Sequence, residues 1–253
     1  MTEGGLISSQ PISNLSSQVP VELEVHTDAE AAAQAAAIFV AAAAREAIAA
    51  RGRFVMAVSG GHTPWLMLKA LAHEDVPWEE VHVVQVDERV APAGDPERNL
   101  THLLETLREI DGLSSDHIHA MPVEAPDLEL AGAQYATVVN QIAGSPAILD
   151  LVHLGLGADG HTASLVPGDP VLDVTNADIA ITGVYQKHRR MTLTYPIINR
   201  ARQVLWLVTG GDKAEIVRRL RAGDTSIPSG RIQKEHALMI ADRLAAEVST
   251  KRE

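Results

Sequence analysis

The strongest constraint on this chain is a series of nearly unbroken apolar stretches, each giving way to a helical segment. RFVMAV (53–58), VHVVQV (81–86), AILDLVHL (147–154), QVLWLV (203–208) and HALMIA (236–241) carry apolar residues at both odd and even positions. A strand of that kind has no face for water and belongs inside a sheet covered on both sides. Between these stretches lie helical patterns. DAEAAAQAAAIFVAAAAREAIAARG (28–52) has Asp28 as N-cap and Gly52 as stop, with Ile38, Phe39 and Ile48 expected to face a core. TPWLMLKALA (63–72), RNLTHLLETL (98–107), DLELAGAQYATVVNQIA (127–143) and DKAEIVRRLRAG (212–223) follow. The alternation predicts an α/β fold with a mostly parallel sheet and helices on both faces.

VELEVH (21–26), HIHAMP (117–122), DIAITGV (178–184) and RRMTLTY (189–195) read as further strands, PIINRA as a short helix, and the residues beyond Asp242 as a terminal helix. VHVVQVDER (81–89) reads as one strand. No repeat or linker divides the chain. Residues 21–253 are expected to form a single α/β catalytic domain, with room for a small appended lobe, behind a loose Ser/Pro/Gly-containing tail over 1–20. Trp65, Trp78 and Trp206 are assigned to the core.

Composition narrows the chemistry. There is no cysteine, which excludes disulfides, thiolate catalysis and cysteine-held metals and fits a cytoplasmic protein. The 33 acidic residues against 21 Lys plus Arg give a net charge of −12, which argues against nucleic acid or an anionic membrane as partner. No apolar run is expected to reach the roughly 20 residues that span a bilayer, and the start lacks a secretory pattern. His117-x-His119 offers two ligands without a third in the sequence nearby, so no metal is expected.

In parallel sheets ligands bind beyond the carboxyl ends of the strands. The strands here end in SGGHTP (59–64), DER (87–89), GLGADGH (155–161) and TGGDK (209–213), so a parallel sheet sends all of them to one rim. Gly155, Gly157 and Gly160 match G-x-G-x-x-G, the dinucleotide fingerprint. Its context fails: Pro167 and Pro170 cut the next helix to about two turns, and no acid closes the following strand. The alternative gives Asp159 and His161 the chemistry. His161 in the first helical turn would be kept uncharged by the macrodipole and could take a proton from water, with Asp159 orienting it. Asp159 as a plain N-cap beside a surface histidine stands level with that reading on residues alone.

SGGHTP can be an anion cradle built from Ser59, Gly60, Gly61 and Thr63 at a helix start, a simple tight turn, or a serine nucleophile elbow. Arg89 can grip a phosphate or an oxyanion and Asp87 can hold sugar hydroxyls, or the two form a structural ion pair. Lys213 is a second candidate cation or an ordinary surface lysine.

Taken in order, VSGGHTP, VDERVAP with Asn99 beyond it, LGLGADGHTASLVPG, RMTLT and VTGGDK resemble the 6-phosphogluconolactonase family, across residues 58–213. That resemblance implies a Rossmann-like fold shared with glucosamine-6-phosphate deaminases, hydrolysis of a sugar-phosphate lactone in the pentose phosphate pathway, and no cofactor. It implies His161 as the base with Asp159 assisting. It places Ser59, Gly60, Gly61, Thr63, Asp87, Arg89, Asn99, Arg190 and Lys213 around the substrate. Deaminases carry apolar-Asn-Glu-Pro after their DGH, where this chain has Thr162-Ala-Ser-Leu-Val-Pro-Gly. Two departures stand out: Arg98 replaces the usual Ser before Asn99, and IPSGRIQKEHALMIAD (227–242) lacks the usual Pro-Ala and Trp. The rivals are a sugar-phosphate isomerase or deaminase, a serine esterase acting through Ser59, and a sugar-phosphate sensor without turnover.

Overall fold

Alternate residues of the central strands turn to opposite sides, and both sides are dry. In the computed structural model, which describes residues 21–108 and 110–247, Phe54, Met56 and Val58 join one buried cluster while Val55 and Ala57 join the other. Leu205 and Leu207 separate from Val204, Trp206 and Val208 in the same way. The tail expected over 1–20 lies outside the described residues, as do 248–253 at the end of the expected terminal helix. Its described part, 243–247, is a run of turns.

The elements in order are β1 (Glu22–His26), α1 (Ala29–Arg51), β2 (Phe54–Val58), α2 (His62–Leu71), β3 (Val81–Gln85), β4 (Asp87–Arg89), α3 (Asn99–Leu107) and β5 (Ile118–His119). Then come α4 (Leu128–Ala143), β6 (Leu151–Leu154), β7 (Ile179–Ile181), β8 (Arg190–Leu193), α5 (Tyr195–Arg200), β9 (Val204–Val208), α6 (Ala214–Arg221) and β10 (Ala237–Asp242). Seven strands form a parallel sheet in the order β1-β10-β9-β6-β2-β3-β5. Residues of α1, α2 and α3 share the cluster on one face, and those of α4, α5 and α6 the cluster on the other. From β2 the chain runs outward through β3 and β5, then returns to the opposite side of β2 with β6. That reversal opens a crevice between the carboxyl ends of β2 and β6.

Asp28 and Gly52 cap α1 as their residue types require. Asp28 Oδ1 accepts from Ala31 N at 2.9 Å, and Gly52, at φ 73°, returns its N–H to Ile48 O. The buried face of α1 is alanine apart from Val40, and includes Ala32, Ala36, Ala37 and Ala41, while Ile38 points outward at 51% exposure. This corrects the expected core role of Ile38: small side chains let the helix lie close to the sheet and α2, and they leave Ile38 on the far side. Phe39 and Ile48 are half-buried against the core. By length and composition α1 also qualifies as a bilayer span among the described residues, against the expectation that none would. Alanine counts as apolar, and here its stripe faces protein.

Two further expectations change. VHVVQVDER is broken at Val86, so β4 leaves the main sheet and pairs antiparallel with β8, which pairs with β7. This three-stranded sheet is the appended element for which the sequence had room. And no helix follows His161: Thr162 and Leu165 form an isolated bridge, with Ala163 at φ 51°. Trp78 and Trp206 are buried as expected, and Trp65 is half-buried.

Candidate active site

The loops after β2, β6 and β9 meet β4, the first residue of α3 and the start of β8 around one cavity of about 350 Å³. Ser59, Gly60, Gly61, Thr63, Asp87, Arg89, Asn99, His161, Arg190 and Lys213 all line it. Asp159 stands directly behind His161.

The loop after β2 is tied across the crevice to β6. Ser59 Oγ donates to the His153 carbonyl at 3.0 Å, and Ser59 N approaches His153 Nδ1 at 3.4 Å. With its hydroxyl committed to a carbonyl, Ser59 has no base, which removes support for the esterase reading. A Cβ on Gly60 would fall on Asn99 Oδ1, so glycine is what lets the loop pass that side chain. Gly61, at φ 125°, turns the chain into α2. The first-turn amides of a helix have no carbonyl of their own to bond, so those of α2 suit an anion on the cavity side. Thr63 Oγ1 is 2.8 Å from Thr209 Oγ1, linking the first turn of α2 to the loop after β9.

The Asp-Glu-Arg cluster divides its charges. Glu88 is fully buried, and its Oε1 accepts from the amides of Arg89 and Asn99, both at 2.8 Å. Its Oε2 accepts from Leu100 N at 2.8 Å and Gln85 Nε2 at 2.9 Å. A carboxylate from another strand thereby satisfies the start of α3. This explains the Arg98 departure: no capping side chain is needed there, and Arg98 turns away from the cavity to pair with Glu124 and, at 3.5 Å, Glu88. Asn99 Nδ2 donates to the Asp87 carbonyl at 2.9 Å, while its Oδ1 accepts from Arg89. Asp87 receives Ser164 Oγ at 2.5 Å and lies 3.8 Å from Arg190. Burial lowers the Arg190 pKa from its ordinary value, with the Asp87 charge opposing and the Arg89 charge reinforcing that shift.

At the turn after β6, His161 Nδ1 and Asp159 Oδ1 are 2.6 Å apart, and the same oxygen accepts from His161 N at 3.1 Å. With no helix here, the dipole rationale fails and so does the N-cap reading of Asp159. A direct carboxylate contact orients the ring instead. Burial alone would push the Asp159 carboxyl up. The hydrogen bonds from the His161 amide and ring and from Tyr185, together with the His161 charge, outweigh it and hold the carboxyl below its usual range. The glycines serve this turn. A Cβ on Gly157 would strike the His161 ring, and Gly160, at φ 85°, would bring one to 2.6 Å from Ile227 Cβ. The backbone amide of Ser229 bonds Gly160 O at 2.9 Å, so the atypical C-terminal segment buttresses the turn.

Lys213 lines the cavity and touches Asp212 at 3.3 Å. Its loop is held by Asp242 at the end of β10, whose carboxylate oxygens both lie 3.1 Å from Gly210 N. Sequence reasoning missed Tyr185, Ser164 and His153 at this site. Ser164 lay inside a quoted motif and Tyr185 just ahead of another, but nothing in their spacing marks their partners. The His117-x-His119 pair does gain a neighbour, since His82 Nδ1 is 3.1 Å from His119 Nε2 and its ring lies 4.1 Å from that of His117, tilted by 40°. No group of three or more His, Asp or Glu side chains among the described residues is placed to hold a metal ion.

A family model described as glucosamine-6-phosphate isomerases/6-phosphogluconolactonase matches residues 27–241. A 6-phosphogluconolactonase of Synechocystis sp. is 38% identical over 211 residues, covering 80% of this chain and 87% of its own. Among solved structures, 6-phosphogluconolactonase from Trypanosoma cruzi superposes with a TM-score of 0.81 at 22% identity, over 94% of this chain and 99% of that one. A monomeric glucosamine-6-phosphate deaminase reaches 0.78 at 19% identity, over 90% of this chain and 100% of that one. At these identities the two structures speak to the fold, which both activities share.

Proposed function

The chain belongs to the family of glucosamine-6-phosphate isomerases and 6-phosphogluconolactonases, and from that premise we infer that it is a lactone hydrolase. It hydrolyses 6-phospho-D-glucono-1,5-lactone to 6-phosphogluconate, in the oxidative pentose phosphate pathway. Within the family, the segment after DGH favours hydrolysis over deamination. Aligned on Pro167, the deaminase Glu falls at Val166, which is buried and apolar here. Ammonia release from glucosamine 6-phosphate is the assay that would reverse this reading.

The proposed mechanism rests on one observation: an imidazole held by a carboxylate at 2.6 Å borders the same cavity as three cationic side chains. Asp159 Oδ1 takes the Nδ1–H of His161, leaving the Nε2 lone pair for a water. That water loses a proton to Nε2 as its oxygen bonds the lactone carbonyl carbon. Cations and loop amides stabilise the resulting oxyanion. Collapse breaks the bond to the ring oxygen, which takes the proton back from Nε2. Arg89, Arg190, Lys213 and the Ser59–Thr63 loop hold the phosphate and sugar, and Asp87 and Asn99 set the two arginines. Remote phosphate binding supplies the positioning.

One α/β catalytic domain over 21–253 is part of this proposal, supported by the pairing of β1, the first strand, with β10, the last. A cytoplasmic location is proposed on the absence of cysteine. The test is turnover of freshly generated lactone in a pH-stat, with spontaneous hydrolysis subtracted. His161→Ala should lose about 10²–10⁴-fold in kcat, and near-wild-type turnover would reject His161 as base. Binding without turnover in the unaltered protein would point to the sensor.

A further inference from the structure

One side chain reaches the Asp159–His161 pair from outside every motif. Tyr185 opens a two-residue hairpin turn between β7 and β8, closed by Tyr185 N to His188 O at 2.9 Å and His188 N to Tyr185 O at 3.3 Å. The turn residues Gln186 and Lys187 have φ of 47° and 75°, a left-handed conformation that side chains other than those of Gly, Asn and Asp rarely adopt. Such backbone persists where surrounding contacts over-determine it. This turn is held on both flanks. His188 Nε2 bonds Glu97 at 2.7 Å on one side. On the other, the Tyr185 hydroxyl donates to Asp159 Oδ2 at 3.1 Å and lies 3.5 Å from His161 Nδ1. The Tyr185 ring stands edge-on to the imidazole at 5.4 Å, with the Arg190 guanidinium 5.2 Å over its face.

The two oxygens of Asp159 are therefore shared out, Oδ1 to His161 and Oδ2 to Tyr185. We propose that Tyr185 is a positioning residue for the hydrolysis: its hydroxyl fixes the Asp159 carboxylate so that Oδ1 selects the Nδ1–H tautomer of His161 and leaves Nε2 bare. This rests on His161 acting as the base. Burial, joined by the Asp159 charge, raises the phenol above its ordinary pKa, so the hydroxyl stays a donor at neutral pH. The charged and titratable groups facing it are Asp159 and His161 from the turn after β6 and Arg190 from β8, with Asp87 and Arg89 behind Arg190.

Tyr185→Phe keeps the ring, its edge contact and the stacked guanidinium, and removes the hydroxyl alone. kcat should fall about tenfold with KM within about twofold. The acid limb of the kcat–pH profile should move upward, because Asp159 with one donor fewer accepts more strongly from imidazolium. The imidazole ¹⁵N spectrum should change from one tautomer to a mixture. Wild-type kcat, acid limb and spectrum would overturn the proposal. So would a loss confined to KM and thermal midpoint with the tautomer intact, which is what a purely structural clamp would give. His161→Ala run alongside separates the two readings. If it stays active both fall, whereas an inactive His161→Ala beside an unaffected Tyr185→Phe removes only this one. Val184→Thr, on the exposed neighbour, should match wild type throughout.

Discussion

Gly157→Ala separates a catalytic turn from a nucleotide fingerprint more sharply than removing the histidine does. The φ of Gly157 is not in the left-handed region, so alanine meets no backbone strain there. The added Cβ is the whole perturbation. It would sit 2.8 Å from Asp159 Oδ1 and closer still to the His161 ring, where ordinary contact begins at 3.4 Å. The carboxylate must give by about 0.6 Å, and the ring by on the order of 1 Å, so the 2.6 Å contact between them does not survive. Displacement of that size at a reacting group costs about 100-fold in rate. The expected result is a kcat near 1% of wild type with KM little changed, read as acid release from fresh lactone after subtracting the uncatalysed rate. Gly155→Ala is the matched control. A Cβ there meets nothing within 4 Å, and activity should stay within a few-fold of wild type. In a dinucleotide fingerprint both glycines would matter. Equal damage from the two substitutions, or a Gly157→Ala enzyme within a few-fold of wild type, would refute the steric account of this turn.

Acid should unfold this protein through its buried histidines. Burial lowers His153 to about 4 from 6.5, so the folded state refuses a proton that the unfolded chain accepts. Stability is therefore full above pH 6.5 and declines as pH falls toward 4, by up to about 3 kcal/mol from this residue. Chemical denaturation at pH 7 and 4.5 should show that loss reduced by about 2 kcal/mol in His153→Leu, and an unchanged slope would contradict it. His82, lowered to about 4 by burial and then by His117 and His119, should add a smaller loss in the same window, because it is half-exposed. Separately, Glu88→Gln should cost about 3 kcal/mol of stability by removing the buried charge that receives the start of α3 and faces Arg98. Urea denaturation would register this as a lower midpoint, and a midpoint within error of wild type would show that the amide oxygen suffices.

The order of strands and helices, the caps of α1 and the shared rim are legible in the sequence because their causes are local. Apolar periodicity reports burial, Asp28 and Gly52 act on their own neighbours, and a parallel sheet delivers every strand end to one edge whatever the side chains. The Ser59–Thr63 segment, His161 and Lys213 follow from that geometry, whereas Asp87, Arg89 and Arg190 reach the same cavity from the antiparallel pair β4 and β8. Partnerships between distant side chains are another matter. Tyr185 meets Asp159 across 26 positions, Ser164 meets Asp87 across 77, and Ser59 meets His153 across 94. Only the packed fold decided these, along with the carboxylate that replaced the expected helix dipole behind His161, the capping of α3 by Glu88 and the outward turn of Ile38. Local pattern states what a residue can bond. Which group actually arrives within 3 Å depends on how the layers close.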